Sequence, residues 1–275
     1  MTSDVPGGQI EVAGMQVSRL GLSTMQLAGR GAWGAPPDWA AAMELLRAAV
    51  FTYGITHLDT SDAYGPHVVE ELIREALHPY PEGLLIATTV GMVRPTRDHW
   101  VPLGKPAYLR AAVEMSLRRL RVERLDLCYL HQLDPEVEVA DQIGTLETMR
   151  CEGKIGYIGL VNAPPADLRW AARYGRVDVV QGPLSLFAQD DPLLELCREG
   201  AVRYVASPSL DHRRQAQHLR AALHWLRNHG DQTAVVPATS SLNQLHALVE
   251  AVSASGLQGD PQAFPTRTLP GRDRP

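Results

Sequence analysis

Apolar residues along this chain switch regularly between short continuous runs and longer stretches with helical period. Residues 38–53 carry Ala41, Met43, Leu45, Leu46 and Val50 at helical spacing and stop at Gly54. A strand over 55–60 follows, then a helix over Val68–Leu77 and a strand over 84–88. The alternation continues as helices over 107–120, 140–151, 166–174, 192–198, 214–228 and 242–252. Between them stand strands over Leu125–Leu130, 155–160, 177–181, 202–206 and 233–236. Ahead of the series, residues 9–20 alternate about Ala13-Gly14 and predict a hairpin, with a first barrel strand over 21–25.

Eight short apolar strands, each followed by an amphipathic helix, predict an α/β fold: a single (β/α)8 TIM barrel behind an N-terminal β-hairpin. An open doubly wound sheet is the alternative. The polar residues with chemistry fall just after strand ends, which favours the barrel. Residues 1–255 form the expected barrel, and 256–275 a Pro/Gly-rich C-terminal tail without apolar period.

Composition narrows the partners. With 275 residues and 45% hydrophobic content, the chain can bury one large core. A net charge of −5 gives no electrostatic reason to expect nucleic acid or an anionic membrane. No run approaches a membrane span of about 20 apolar residues, and residues 1–8 lack a signal-peptide pattern. Three cysteines at no metal-like spacing predict reduced thiols and a cytoplasmic protein. The expected partner is a small-molecule substrate; oligomeric state leaves no mark on the pattern.

Chemistry concentrates at two strand ends. His57-Leu58-Asp59-Thr60 opens into Ser61-Asp62-Ala63-Tyr64-Gly65, and Asp126-Leu127-Cys128-Tyr129-Leu130 delivers His131. A carboxylate, a phenol and an imidazole at one mouth form an acid/base set. Taken singly, Asp59 reads as a loop cap, Tyr64 as rim packing and His131 as a core histidine. Trp33 and Trp100 follow the first and third strands, where loops wall a substrate pocket. His57, Asp59, Asp62 and His67 lie close in sequence but in no metal-binding spacing, so no metal is expected. No Gly-x-Gly-x-x-Gly follows a strand, so a Rossmann cofactor site has no support. Arg213, Arg214, Arg220 and Arg227 read as a solvated helix face.

The run Asp59-Thr60-Ser61-Asp62-Ala63-Tyr64-Gly65 resembles the Asp-Thr-Ala-x-x-Tyr-Gly signature of the aldo-keto reductases. Met25-Gln26-Leu27-Ala28-Gly29 and Tyr64-Gly65-Pro66-His67-Val68 are most similar to the bacterial branch near the pyridoxal reductases. Arg124-Leu125-Asp126-Leu127, Gly153-Lys154-Ile155-Gly156 and Gly159-x-x-Asn162 extend the resemblance over nearly the whole chain. It implies a (β/α)8 barrel, carbonyl reduction by NADPH, Tyr64 as acid, His131 as substrate-orienting partner and Asp59 as anchor of a lysine. That lysine is absent: the third strand reads Ala87-Thr88-Thr89-Val90-Gly91, with Thr89 in its place. The resemblance assigns Asn162 and Gln181 to the nicotinamide, and Ser207, Thr239, Ser240 and Gln244 to the phosphates. Val161, Leu184, Ala238 and a short connection after Ser207 depart from that pattern.

Without an ammonium beside it, Tyr64 gains no help in ionising, and a nearby Asp59 carboxylate raises its pKa. Three functions follow in order. The first is an aldo-keto-reductase-like oxidoreductase acting on a small carbonyl metabolite with NADPH. The second is a cofactor-independent dehydratase, cyclase or isomerase using Asp59, Tyr64 and His131. The third is a non-catalytic binding barrel.

Overall fold

The computed structural model describes residues 5–183, 192–200, 202–207 and 233–253. An antiparallel hairpin, β1 (Gln9–Val12) and β2 (Met15–Ser18), turns through Ala13 and Gly14, both at positive φ. That backbone matches the twist of a tight hairpin. The barrel strands are β3 (Leu22–Ser23), β4 (His57–Asp59), β5 (Leu85–Val90), β8 (Leu125–Leu130), β9 (Ile155–Val161), β10 (Val179–Gly182), β11 (Arg203–Ala206) and β12 (Thr233–Val235). They pair in that order, every pair parallel. The ring closes where Gly21 N donates to Val235 O at 2.8 Å and Ser23 N to Pro237 O at 3.0 Å.

Outside the ring lie α1 (Trp39–Arg47), α2 (Val68–Leu77), α3 (Pro106–Leu120), α4 (Val139–Cys151), α5 (Pro165–Ala171), α6 (Pro192–Gly200) and α7 (Leu242–Ser253). The helix expected over 214–228 and the tail 256–275 lie outside the described residues.

Strand periodicity sorts side chains to two sides. On β5, Leu85 and Ala87 join the interior with Leu127, Tyr129, Val179 and Val205, while Ile86 and Val90 pack against the helices. Burial on both sides explains why these strands read as continuous apolar runs. Ile10, Val12 and Val17 of the hairpin share the interior cluster and plug the bottom of the barrel. Tyr129 lies across β9, where a Cβ on Gly159 would come within 2.2 Å of its ring. Only glycine lets that large aromatic fill the axis.

Three expectations need correction. The first strand is Leu22–Ser23 rather than 21–25, because Met25–Leu27 turns into a 3-10 helix. The helix expected over 38–53 starts where the Asp38 carboxylate accepts from Ala41 N at 3.0 Å. It is α-helical only to Arg47, then widens through Ala48–Thr52 before Gly54 ends it. The sequence reading also missed an antiparallel hairpin, β6 (Met92–Thr96) and β7 (His99–Pro102), over the mouth. Pro95 and Pro102 break its alternation, and proline is tolerated on such edge strands.

Candidate active site

Asp59 ends β4 with its side chain toward the axis, and the chain then folds back onto β5. Thr60 N donates to Ala87 O at 2.8 Å, Asp62 N to Thr89 O at 3.1 Å, and the Ser61 hydroxyl to Thr89 O at 3.0 Å. This zipped loop delivers Tyr64 to the mouth. Gly65, at φ +94, then pairs with the first loop: Gly65 N donates to Ala32 O and Gly34 N to Gly65 O, both at 3.0 Å. His131 follows β8, its N–H donating to Val90 O at 2.9 Å. Thr89 is buried and shares the inward parity of Leu85 and Ala87.

The structure places beside Asp59 a residue that the sequence reading missed. Ser23 pairs with Asp59 in the parallel strand register, which puts its side chain on the same face of the sheet as that carboxyl. Its position at the end of the first barrel strand was the available signal. From across the barrel, Gln181 Nε2 donates to Asp59 Oδ1 at 2.8 Å. The side chain assigned by resemblance to the nicotinamide thus holds the Asp59 carboxyl in this structure.

Burial dominates the electrostatics. It pushes the Asp59 carboxyl up to about 6 against the opposing hydrogen bonds from Gln181 and Ser23. No cation among the described residues counteracts it. Burial, and then the Asp59 charge, pushes the Tyr64 phenol above its usual range, so it stays protonated. Burial drives His131 down to about 4, leaving a neutral imidazole near pH 7. Its Nδ1 is buried with no hydrogen-bond partner among the described residues. Tyr129, fully buried, likewise has an unpartnered hydroxyl.

The rim is aromatic. Trp100 meets the His131 ring edge-on with centroids 5.8 Å apart. The Arg94 guanidinium lies 3.8 Å over Trp100 and 5.2 Å from the Trp33 ring centre. Arg94 also donates to the carbonyls of Gly31, Ala32, Ala63 and Arg97. It staples the β6–β7 hairpin to the loops carrying Trp33 and Tyr64.

The remaining predicted residues divide. Asn162 is exposed at the end of β9 with φ +54, its N–H donating to Gln181 O at 2.8 Å. An outward amide on left-handed backbone at the mouth fits a ligand carboxamide. Ser207 follows β11, its N–H donating to Gly182 O at 2.8 Å. Ser240 is exposed just before α7 and fits a phosphate at that helix N-terminus. Thr239 is buried, its hydroxyl donating to Gln244 Oε1 at 2.7 Å and accepting from Ser241 N at 3.1 Å. It shapes this loop from behind, leaving the Gln244 amide nitrogen uncommitted to that bond. Leu184 and the arginines from Arg213 onward lie outside the described residues.

His57, Asp59, Asp62 and His67 do not form one cluster. His57 and Asp59 face the axis, whereas Asp62 and the exposed His67 lie together in the field of Glu70 and Arg119, with His67 N donating to Asp62 O at 2.7 Å. Among the described residues no helix is long and apolar enough to cross a membrane.

Residues 19–212 match the aldo/keto reductase family. An uncharacterized oxidoreductase of Schizosaccharomyces pombe is 34% identical, over 94% of this chain and 88% of that protein. The pyridoxine 4-dehydrogenase of Escherichia coli is 32% identical, over 83% of this chain and 87% of that protein. Among solved structures, the glycerol dehydrogenase of Gluconobacter oxydans superposes with a TM-score of 0.76 at 23% identity, covering 91% and 90% of the two chains. These similarities give no support to lyase or isomerase chemistry.

Proposed function

The chain belongs to the aldo/keto reductase family, and from that premise we propose that it is an NADPH-dependent oxidoreductase interconverting a small carbonyl compound and its alcohol. The observation that carries this reading is the polar set at the mouth: the buried Asp59 carboxyl held by Gln181, a protonated Tyr64 that feels its charge, and a neutral His131 against Trp100. Its relatives, named for oxidoreductase and pyridoxine dehydrogenase activity, support the same class.

Asn162 would hold the nicotinamide carboxamide, and Ser207, Ser240 and the α7 N-terminus the phosphates. When bound, the reduced nicotinamide supplies hydride to the carbonyl carbon. The neutral Tyr64 hydroxyl donates a hydrogen bond to the carbonyl oxygen and yields its proton as charge develops there. His131 orients that oxygen from the other side as a neutral donor. Trp33 and Trp100 exclude water and present an apolar wall, which favours a compact and partly apolar substrate.

Titrating the protein with NADPH and NADH by calorimetry, then assaying a panel of small aldehydes and ketones, tests this reading. Binding below about 1 mM with NADPH favoured, and turnover of at least one carbonyl, is the expected result. Absence of binding to either nucleotide overturns it.

A further inference from the structure

We propose that Arg94 is a positioning residue that gives this site its preference for compact carbonyls, by holding the Tyr64 loop and the Trp33 and Trp100 walls in one fixed arrangement. The inference rests on the reductase reading and names what keeps the acid of that reading in register with its walls.

The hairpin that carries Arg94 is shaped to aim it. β6 and β7 pair antiparallel with the register shifted between Val93 and Thr96, so Arg94 stands at an irregularity of the ladder. Such a bulge bends the strand and re-aims a side chain. At the base of the hairpin Leu103 N donates to Gly91 O at 3.0 Å, which fixes it to the end of β5. Arg94 itself is 7% exposed.

Its guanidinium reaches three segments. Nη1 donates to the carbonyls of Ala32 and Ala63, the latter at 3.4 Å. Nη2 donates to Gly31 O at 2.9 Å and to the carbonyl of Arg97 in the hairpin turn. Gly31 and Ala32 are both left-handed, at φ +72 and +53, a conformation that costs alanine energy. Both of their carbonyls accept from the one guanidinium, which holds the strained turn in place. Ala32 O also accepts from Gly65 N at 3.0 Å, so the residue after Tyr64 hangs on the same carbonyl.

The four terminal N–H groups meet four carbonyls, and Nε is buried. No donor is left for a ligand, so Arg94 acts through its neighbours. The guanidinium also lies 3.8 Å over Trp100 and 5.2 Å from the Trp33 ring centre, and Trp100 meets His131 edge-on. One side chain thus fixes the acid through Ala32 and Ala63, and the orienting imidazole through Trp100. A lysine is a point charge and cannot span four carbonyls while stacking on a ring. Misplacing a reacting group by about 1 Å costs about 10²-fold in rate. Walls that cannot retreat also turn away large substrates.

Kinetics of wild type, Arg94→Lys and Arg94→Ala with NADPH test the assignment, using a compact aliphatic aldehyde and a bulky aromatic one. Arg94→Lys should lose about 10²-fold in kcat for the compact aldehyde, with NADPH affinity unchanged. Its loss for the bulky aldehyde should stay below about tenfold, because relaxed walls admit it. Millimolar guanidinium chloride should raise the compact-aldehyde rate of Arg94→Ala about tenfold, and methylammonium at equal concentration should not.

Arg94→Lys with wild-type kcat and selectivity overturns the proposal and leaves the reductase reading standing. So does an equal loss for both aldehydes, or a folded Arg94→Ala that guanidinium does not rescue. Failure of both variants to fold overturns it too, since Arg94 would then serve stability alone. A wild-type protein that turns over no carbonyl overturns both readings.

Discussion

Two buried carboxyls lie on opposite faces of β5, and neighbouring threonines of that strand mark the division. Thr88 faces out of the barrel and donates to Glu70 Oε1 at 2.6 Å. Glu70 on α2 also accepts from Arg119 Nε of α3 at 2.6 Å, and Arg119 donates onward to Ser116 at 3.1 Å. Thr89 faces in, where the resemblance calls for a lysine, and the Asp59 carboxyl accepts from the neutral Gln181 amide with no cation beside it among the described residues. A buried charge that is paired and hydrogen-bonded ties helices together. A buried acid with neutral partners exchanges its proton in the physiological range instead. The cation is the difference between a joint and a proton donor.

The largest effect expected is from removing the cation that exists. Arg119→Met leaves Glu70 buried and facing Asp62, whose carboxyl burial and then the Glu70 charge already hold well above its usual range. A loss of about 3–5 kcal/mol in unfolding free energy is expected by chemical denaturation. A loss below about 1 kcal/mol would dissolve the contrast, since both carboxyls would then tolerate life without a cation.

Neutralising Asp59 should act the other way. Its folded pKa is about 6 against 3.8 ordinarily, so the folded protein binds this proton more tightly than the unfolded chain. The folded state is therefore penalised in full above pH 6, and the penalty fades as pH falls toward 4. Asp59→Asn keeps the shape and should stabilise by about 3 kcal/mol above pH 6, with little gain near pH 4. His57 and His131, both driven down to about 4, act oppositely: their neutral folded forms lose stability as pH falls from 6.5 toward 4. The mutant-minus-wild-type difference across pH isolates Asp59 from them. The stabilised variant should also lose carbonyl reduction, as expected where strain at a site serves activity.

How much of this contrast the sequence carried depends on its range. Helices and strands were legible because their periods are local: Val68–Leu77 and Leu125–Leu130 fall where the apolar pattern puts them. Asp59, Tyr64 and His131 were legible because each follows a strand end, and the barrel brings strand ends together. Ser23 was not, since its value depends on facing Asp59 across a parallel register 36 residues away. The Arg94 staple was hidden for a related reason: four carbonyls and two tryptophan faces select it, and none leaves a sequence period. Gln181 was singled out, but its bond to Asp59 spans 122 positions.

The sharpest test gives Asp59 what Glu70 already has, at almost no cost in stability. Thr89→Lys puts an ammonium on the inward face of β5 within reach of the mouth, where desolvating it is largely repaid by pairing with Asp59. A stability change within about 1 kcal/mol is therefore expected. The chemistry should change far more. An opposite charge within about 4–6 Å lowers a carboxyl by about 1–3 units, so the inflection near 6 should move below about 5. Any dependence of reduction on Asp59 ionisation near pH 6 should then disappear, because the ammonium lowers the Tyr64 phenol and takes over from Asp59 as the charged neighbour. Thr89→Met, of similar reach without the charge, should leave the inflection near 6 and separates electrostatics from bulk. If the Asp59 carboxyl of Thr89→Lys titrates like wild type by infrared spectroscopy, and the rate profile is also unchanged, the introduced amine does not engage Asp59. The inner and outer carboxyls would then differ by more than a missing cation.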